Sequence, residues 1–450
     1  MNQEPFQMFE LRWLSQIKRE TKERLRKILV EFEKCILGPY YFQLSSKLGW
    51  KRRLLLLWQF LRIDRKKVSE SSRYEIHVLI HGHPGSRMLP PILLRLLEKI
   101  QRDRLNIQIY LILQNEEDRR MLNGFSGMGC KIYRDYLPLI EACLAPKGKL
   151  LLLCEGQRLY DYCKVDVDAV DRLRNFSVKT MCVQHAGTHS NAVKGLSSAA
   201  SDVMLLWDRK THQQLVDNYG VDSARLRIVG NPLHDRLASL DRDAVLRKIS
   251  TKFPKCSADL YSKKTVLLAT TFFYGDKGQD NESIRYLEHV YNSIDFERIF
   301  LIVKMHPCDR LQPNLYREQL PKNIVESKDV IMIVPTDPDL DFYALLVAAD
   351  LVLTRASTAG EEAVALGKPV IAFDLKPEML AEGYGHLKQY PNYRVIYESP
   401  QNALRDAIAE GLLSPKEQRN HLRADGHLEH IRDAHSTERA ADQILLGLSS

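Results

Sequence analysis

The sequence predicts an α/β protein made of two consecutive Rossmann-like domains, each a parallel sheet with helices on both faces. Three observations carry this. From about residue 74 onward, short apolar runs alternate with helix-like segments, the pattern of parallel strands buried on both sides. The alternation comes in two series, separated by a polar stretch that contains Pro254. At 450 residues the chain is also long enough for two domains of ordinary size, each with its own core.

Taken in order, residues 1–70 come first, as a helical extension. "FELRWLSQIKRETKERLRKILVEFEKCIL" and "GWKRRLLLLWQFLRIDRKK" carry apolar residues at helical spacing. Three of the four tryptophans, Trp13, Trp50 and Trp58, fall here among Leu, Phe, Lys and Arg. The charge is concentrated in the same place: residues 1–67 hold 16 Lys and Arg against 7 Asp and Glu, while the whole chain carries only +8. Two readings stay open. Residues 1–67 form a basic amphipathic surface for an anionic membrane, or the helices pack on the body with a solvated basic face. The nearly neutral remainder argues against nucleic acid as a partner.

The apolar content of 44% and charge content of 27% are those of a soluble globular protein. No apolar run approaches the ~18 residues of a membrane span, and "MNQEPFQMFELRWL" lacks the basic start and apolar block of a signal peptide. The expected location is therefore cytoplasmic, with peripheral attachment to the inner face of the membrane if the amphipathic reading holds. Eight cysteines (Cys35, Cys130, Cys143, Cys154, Cys163, Cys182, Cys256 and Cys308) form no CxxC pair, which points to reduced residues, several of them in the core, rather than a disulfide frame or zinc site.

The first sheet is expected from "YEIHVLI", "IQIYLIL", "KLLLLC", "VKTMCV", "VMLLW" and "LRIVG", giving an N-terminal domain over 71–240. Residues 241–262 are expected as a linker. The second sheet is expected from "TVLLAT", "RIFLIVK", "VIMIV", "DLVLT", "PVIAF" and "YRVIY", giving a C-terminal domain over 263–412. Residues 413–450 should be closing helices.

In an open parallel sheet, ligands bind beyond the carboxyl ends of the strands, so the residues just after each strand matter most. "DLVLTRASTAGEEAVALGKPVIAF" predicts a strand, a helix ending at Gly367, and, after Pro369, another strand. Thr358 and Glu361 fit a capping box, which leaves Ser357 and Glu362 without a structural task. Small residues at a helix start suit a phosphate, and a carboxylate one turn in suits the two hydroxyls of a ribose. "FLIVKMHPCDR" places Lys304 and His306 at another strand end, where a cation and an imidazole could neutralise a diphosphate or phosphodiester leaving group. The bland alternative is an exposed Lys beside a His that bonds a loop carbonyl.

"KMHP" followed by "DPDLDFYALLVAADLVLTRASTAGEEAVALGKPVIAF" resembles the C-terminal half of GT-B-fold enzymes. The likeness is to bacterial capsule-polysaccharide transferases of the Kdo-transferring type, with their "HP" and "STxGxEA…GKPV" motifs. It is also similar to the CDP-glycerol glycerophosphotransferases and, around "EEAVALGKPV", to the UDP-N-acetylglucosamine 2-epimerases. The resemblance covers roughly 180–375 and is specific from about 300 to 373. It implies two Rossmann-like domains facing a cleft, with Lys304 and His306 on the donor phosphates. Ser357 and Thr358 would bind phosphate at the helix start, and Glu362 the ribose. Thr270 and Thr271, in the first loop of this half, could touch the donor, and Arg355 stands where these families vary. As a class such enzymes need no catalytic metal, so no cofactor is expected beyond the nucleotide-sugar co-substrate.

The N-terminal domain should then supply the acceptor site and the base. His83, with His81 as the alternate, follows the first strand in a loop with Gly82 and Gly85. Gln184 and His185 end another strand ahead of Gly187, and Glu155 precedes Gly156 after "LLLLC". His83, His185 and Glu155 are the candidate catalytic groups. Metal binding by His81, His83, His185 and His189 has residue type in its favour but no ligand spacing. "VGNPLHDRL", with Gly230, Asn231, Pro232 and Asp235, reads better as an interdomain turn than as a catalytic element. The expected activity is transfer of a sugar from a CMP- or UDP-activated donor to a glycan or lipid-linked acceptor in surface-polysaccharide synthesis. A 2-epimerase, a glycerophosphotransferase and a non-catalytic binding subunit are the rivals.

Overall fold

The computed structural model describes residues 74–80, 88–113, 122, 124–133, 149–154, 178–184, 190–199, 201–270, 281–306, 313–318, 320, 328–334, 337, 339–355, 357–375, 385–397, 402–413 and 433–449. Residues 1–70 and their membrane reading, and the expected site residues His81, His83, Glu155, His185, His189 and Thr271, lie outside them.

Among the described residues two parallel sheets form the body. The first has seven strands in the order β3-β2-β1-β4-β5-β6-β7: β1 (Tyr74–Ile80), β2 (Ile107–Leu113), β3 (Lys131–Tyr133), β4 (Lys149–Cys154), β5 (Val178–Val183), β6 (Val203–Leu206) and β7 (Leu226–Ile228). The second has six, ordered β10-β9-β8-β11-β12-β13: β8 (Lys264–Ala269), β9 (Ile299–Lys304), β10 (Val330–Ile333), β11 (Leu351–Thr354), β12 (Val370–Asp374) and β13 (Tyr393–Tyr397). Every pairing is parallel. These are two Rossmann-like domains of the GT-B kind. In each, the strand order reverses beside the first strand, which opens a crevice at the carboxyl edge.

The apolar runs explain the layering. Along β1, Ile76, Val78 and Ile80 join the core cluster on one face, while Leu79 joins a different cluster on the other. Both faces of the strand are therefore covered, His77 beside Leu79 included, as a parallel sheet with helices on either side requires. Helix α1 (Leu89–Arg102) begins with Pro90 and Pro91 in its first turn, where a missing N–H costs nothing, and buries Ile92, Leu93 and Leu96 under the first sheet. Strand β3 was not foreseen. "KIY" is three residues long and partly exposed at the sheet edge, so it lacks the apolar run that marks its neighbours.

Between the sheets, residues 241–262 are mostly helical, with α3 (Arg242–Lys252) and a short helix Ser257–Ser262; α2 (Arg209–Tyr219) precedes them in the first domain. Val245, Leu246, Ile249, Cys256 and Leu260 sit in the core of the second domain. That domain is completed by α4 (Phe342–Ala348), α5 (Thr358–Ala365) and α6 (Asn402–Leu413). The last helix, α7 (Ser436–Ser449), packs on the first sheet instead: Ala440, Ala441, Ile444 and Leu448 share a cluster with β1 and α1. Lys99 holds it there, bonding Asp442 at 2.7 Å and also Glu438, which pairs with Arg95 as well.

The junction is built around "GNPLHD". Gly230 has φ +90°, which a Cβ disfavours, and an added Cβ would lie 2.2 Å from Ser436 Oγ. Asp235 accepts the backbone N–H groups of Ser436 at 2.9 Å and Thr437 at 2.7 Å, capping α7 from outside. Gly230→Ala is therefore expected to cost about 2 kcal/mol, the scale of backbone strain plus overpacking, seen as a lower denaturation midpoint. An unchanged midpoint would mean the turn is not constrained as described. Of the cysteines, Cys130, Cys182 and Cys256 are free and buried. No described helix is long and apolar enough to cross a membrane.

Candidate functional site

Strand order determines which loops meet. At the carboxyl edge of the second sheet β8 lies between β9 and β11, so the ends of β9 and β11 are about 10 Å apart, two strand spacings. Thr270 follows β8, Lys304 ends β9, and Arg355 follows β11 on the way to α5. The elements expected to form the donor site thus share one edge.

Helix α5 is specified locally at both ends. Ser357, extended at φ −155° and ψ 148°, is the N-cap, its Oγ accepting Ala359 N–H at 3.2 Å. This corrects the capping box expected from Thr358 and Glu361: Thr358 is the first helical residue, so the cap falls one residue earlier and Glu361 is out of box register. At the other end Gly367 takes φ +70°, and the N–H groups of Gly367 and Lys368 return to Val364 and Ala363 at 2.8 and 2.9 Å, the closure that a left-handed glycine allows. Gly360 lets the helix lie against β11, since a Cβ there would meet Thr354 Cγ2 at 3.3 Å. Ser357 and Thr358 are partly exposed, whereas Glu361 and Glu362 are buried.

The other expected donor residues have definite local partners. Thr270 Oγ1 donates to the Lys304 carbonyl at 3.2 Å and accepts His306 N–H at 2.9 Å and the Tyr316 hydroxyl at 3.2 Å. It holds the loop carrying His306 in place. Lys304 Nζ, largely buried, donates to the carbonyls of Val334 at 2.8 Å and Leu340 at 3.4 Å. Its charge stays at the sheet edge, but its hydrogen bonds organise the loop after β10. His306 is half-buried. Arg355, left open by the sequence, grips Asp374 with two bonds of 2.6 and 3.0 Å and lies 5.2 Å over the Tyr286 ring. That bidentate pair ties the end of β12 to the loop after β11.

Glu362 has a task that periodicity did not show. Its Oε1 lies 2.6 Å from Nε2 of His234 and accepts the Tyr343 hydroxyl at 3.1 Å. A carboxylate can only accept, so the ring proton is on Nε2. Burial and the adjacent carboxylate push the Tyr343 phenol well above its ordinary value. Among the described residues none takes Oε2. The imidazole is buried, with Trp207 at 5.9 Å on one side and Tyr343 edge-on at 5.7 Å on the other. Trp207 comes from the first domain, where its N–H groups bond the side chain and carbonyl of Gln184, both at 2.9 Å.

Asp208 lies beside this cluster. It caps α2, accepting Thr211 N–H at 2.7 Å and the Thr211 hydroxyl at 3.2 Å. Burial, with the Glu361 carboxylate of the other domain adding to it, lifts its pKa to about 7. Among the described residues no group of three His, Cys, Asp or Glu is placed to hold a metal ion.

His234, Asp208 and Tyr343 were missed. His234 stood inside "GNPLHDRL", where the turn explained its neighbours, and nothing in the chain links it to a helix 128 residues away.

A family model described as UDP-N-acetylglucosamine 2-epimerase matches residues 184–430. No curated protein matches the chain. Among solved structures it is similar to the UDP-GlcNAc 2-epimerase from Neisseria meningitidis bound to UDP-GlcNAc, with TM-score 0.53 and 14% identity, over 83% of this chain and 99% of that one. The S. aureus MnaA–UDP structure gives 0.56 and 15%, over 84% and 97%. The wall teichoic acid polymerase TagF gives 0.55 and 14%, over 95% and 98%. At such identities the likeness speaks for the fold alone.

Proposed function

The chain belongs to the UDP-N-acetylglucosamine 2-epimerase family, matched over more than half its length, and from that premise we propose that it is a nucleotide-sugar enzyme, specifically a glycosyltransferase acting on a glycan or lipid-linked acceptor. The observation that carries the reading is the edge of the second sheet. The partly exposed N-terminus of α5 lies at the point of strand reversal, and Glu362 leaves Oε2 unbonded among the described residues one turn into that helix. Helix-end amides and dipole favour a diphosphate. The Lys304 charge and His306 at the end of β9, two strands along the same edge, add to that field, and Thr270 fixes the loop that carries His306. Ser357 and Thr358 border the phosphates, and Glu362 Oε2 accepts a ribose hydroxyl.

In transfer, the acceptor oxygen forms a bond to the anomeric carbon as the bond from that carbon to the phosphate oxygen breaks. The electron pair leaves with the nucleotide, and the acceptor proton passes to a base of the first domain. His83, His185 and Glu155 are the candidates for that base. Charge stabilisation of the departing phosphate is the main rate acceleration such a site can supply, and domain closure would align the partners.

What favours transfer over epimerisation is the basic, tryptophan-bearing segment of residues 1–67, a composition suited to an enzyme that works on an acceptor at an anionic membrane surface. The family match is what favours the second reading, 2-epimerisation. Incubation with UDP-GlcNAc, and in parallel CMP- and CDP-activated donors, separates the two. Nucleotide released only when a glycan acceptor is added is the expected result; a changed sugar with no acceptor present would assign the epimerase. A raised thermal midpoint with UDP, CDP or CMP is expected in either case by mass action. No shift with any of them would leave the nucleotide-sugar assignment without support.

A further inference from the structure

The geometry points to His234 as a positioning residue that aims the ribose-binding carboxylate and makes ribose recognition depend on the domain junction. The inference rests on the nucleotide-sugar reading, and goes further by assigning the residue that sets ribose specificity.

A glutamate side chain has three free torsions, and fixing it unaided costs rotamer entropy at each binding event. Here two donors converge on one oxygen. His234 Nε2 at 2.6 Å and Tyr343 Oη at 3.1 Å both meet Oε1 of Glu362, which leaves Oε2 as the oxygen available to a ligand. Held this way the carboxylate is prepared before the nucleotide arrives. His234 is itself held firmly. It is buried between Trp207 and Tyr343. With its Nε2–H directed at the carboxylate 2.6 Å away, the Asn231 amide nitrogen at 2.9 Å is a neighbouring donor rather than a bond to the ring. Asn231 is fixed instead by Leu233 N–H on its Oδ1 at 3.0 Å.

Placement in the chain gives the arrangement its consequence. His234 belongs to the junction turn, and the next residue, Asp235, caps the helix that returns to the first domain. Glu362 and Tyr343 belong to the second domain, on α5 and α4. A shift of one domain against the other therefore moves His234 relative to Glu362, so the carboxylate is aimed only when the junction is in register. Tyr343 gives a second donor from within the second domain, which is why loss of His234 should loosen the carboxylate rather than release it.

The test is titration calorimetry of wild type, His234→Ala, His234→Gln and His234→Asn, with UDP and 2′-deoxy-UDP. CDP and CMP, with their 2′-deoxy forms, are titrated where UDP does not bind. A hydrogen bond to a charged acceptor predicts that wild type prefers the ribose form at least about tenfold. The Gln amide can place its nitrogen where Nε2 stood, so Gln should keep that preference to within about twofold. Ala and Asn, which cannot reach Glu362, should fall to a preference of about twofold or less. A purely structural His234 would lower the thermal midpoint and leave the ratio untouched. If Ala or Asn keeps the wild-type ratio, the positioning role is overturned while the nucleotide site stands. If Ala does not fold, Gln against Asn decides, and equal ratios in both overturn it. Wild type that binds none of these nucleotides would remove the nucleotide-sugar reading together with the inference built on it.

Discussion

Glu362→Ala is expected to lower turnover at least about 100-fold and to destabilise the protein by about 3 kcal/mol. Both effects follow from one carboxylate. Its Oε1 is the shared acceptor of His234 and Tyr343, of which His234 is buried and Tyr343 partly buried. Removing one partner of a buried polar pair leaves the other unsatisfied, with costs on the order of 3–5 kcal/mol for charged pairs and 1–3 for neutral groups. The alanine also leaves a void between α5 and the junction turn. The catalytic loss has a separate origin: Oε2 is the oxygen assigned to the ribose, and a misplaced donor loses alignment at the anomeric carbon. Turnover under saturating donor and the chemical denaturation midpoint measure the two independently. Full activity in a folded variant would remove Glu362 from the donor site. Lost activity with an unchanged midpoint would deny it the role of joining the two domains.

The second large effect concerns Asp208. Its pKa stands at about 7 against an ordinary 3.8, because burial, reinforced by Glu361, disfavours the ionised form. A carboxyl that holds its proton more tightly when folded stabilises the fold most at low pH. That contribution declines as pH rises from about 4 and is gone above about 7. A shift of this size corresponds to at most on the order of 4 kcal/mol. Asp208→Asn keeps an acceptor for Thr211 N–H, so the cap of α2 survives, while the ionisation is removed. Denaturation midpoints between about pH 5 and 8.5 should therefore fall for the wild type relative to the variant, with the variant the more stable at about pH 8. Parallel curves would mean that Asp208 ionises at an ordinary pH. The charge of Glu361 adds to this shift from the other domain.

Local rules made much of this protein legible in the chain. Twelve strands announce themselves as apolar runs, because parallel strands covered on both faces need such residues at every position. The end of α5 was readable from Gly367 and Pro369, since a left-handed residue and a missing N–H act within a few residues of themselves. Its start was readable to within one residue. Ser357 and Thr358 are equally good caps, and the choice between them depends on where β11 releases the chain. The three-residue β3 was not readable, because an exposed edge strand needs no apolar signature.

The residue types gathered at the carboxyl edge of the second sheet, Thr270, Lys304, His306, Ser357 and Thr358, were also visible, because each stands at or shortly after a strand end. What those side chains bond was not. Lys304 turns to two carbonyls of the loop after β10, Arg355 is taken by Asp374, and Thr270 has both acceptor and donors nearby.

By itself the sequence determined the two sheets, the order of their strands along the chain and the residue types at each strand end, all of which depend on neighbours a few positions away. Only the tertiary structure decided that His234 meets Glu362 and that the charge of Glu361 reaches Asp208. Those encounters are set by how one domain docks on the other, through contacts whose partners lie more than a hundred residues apart and leave no periodic trace.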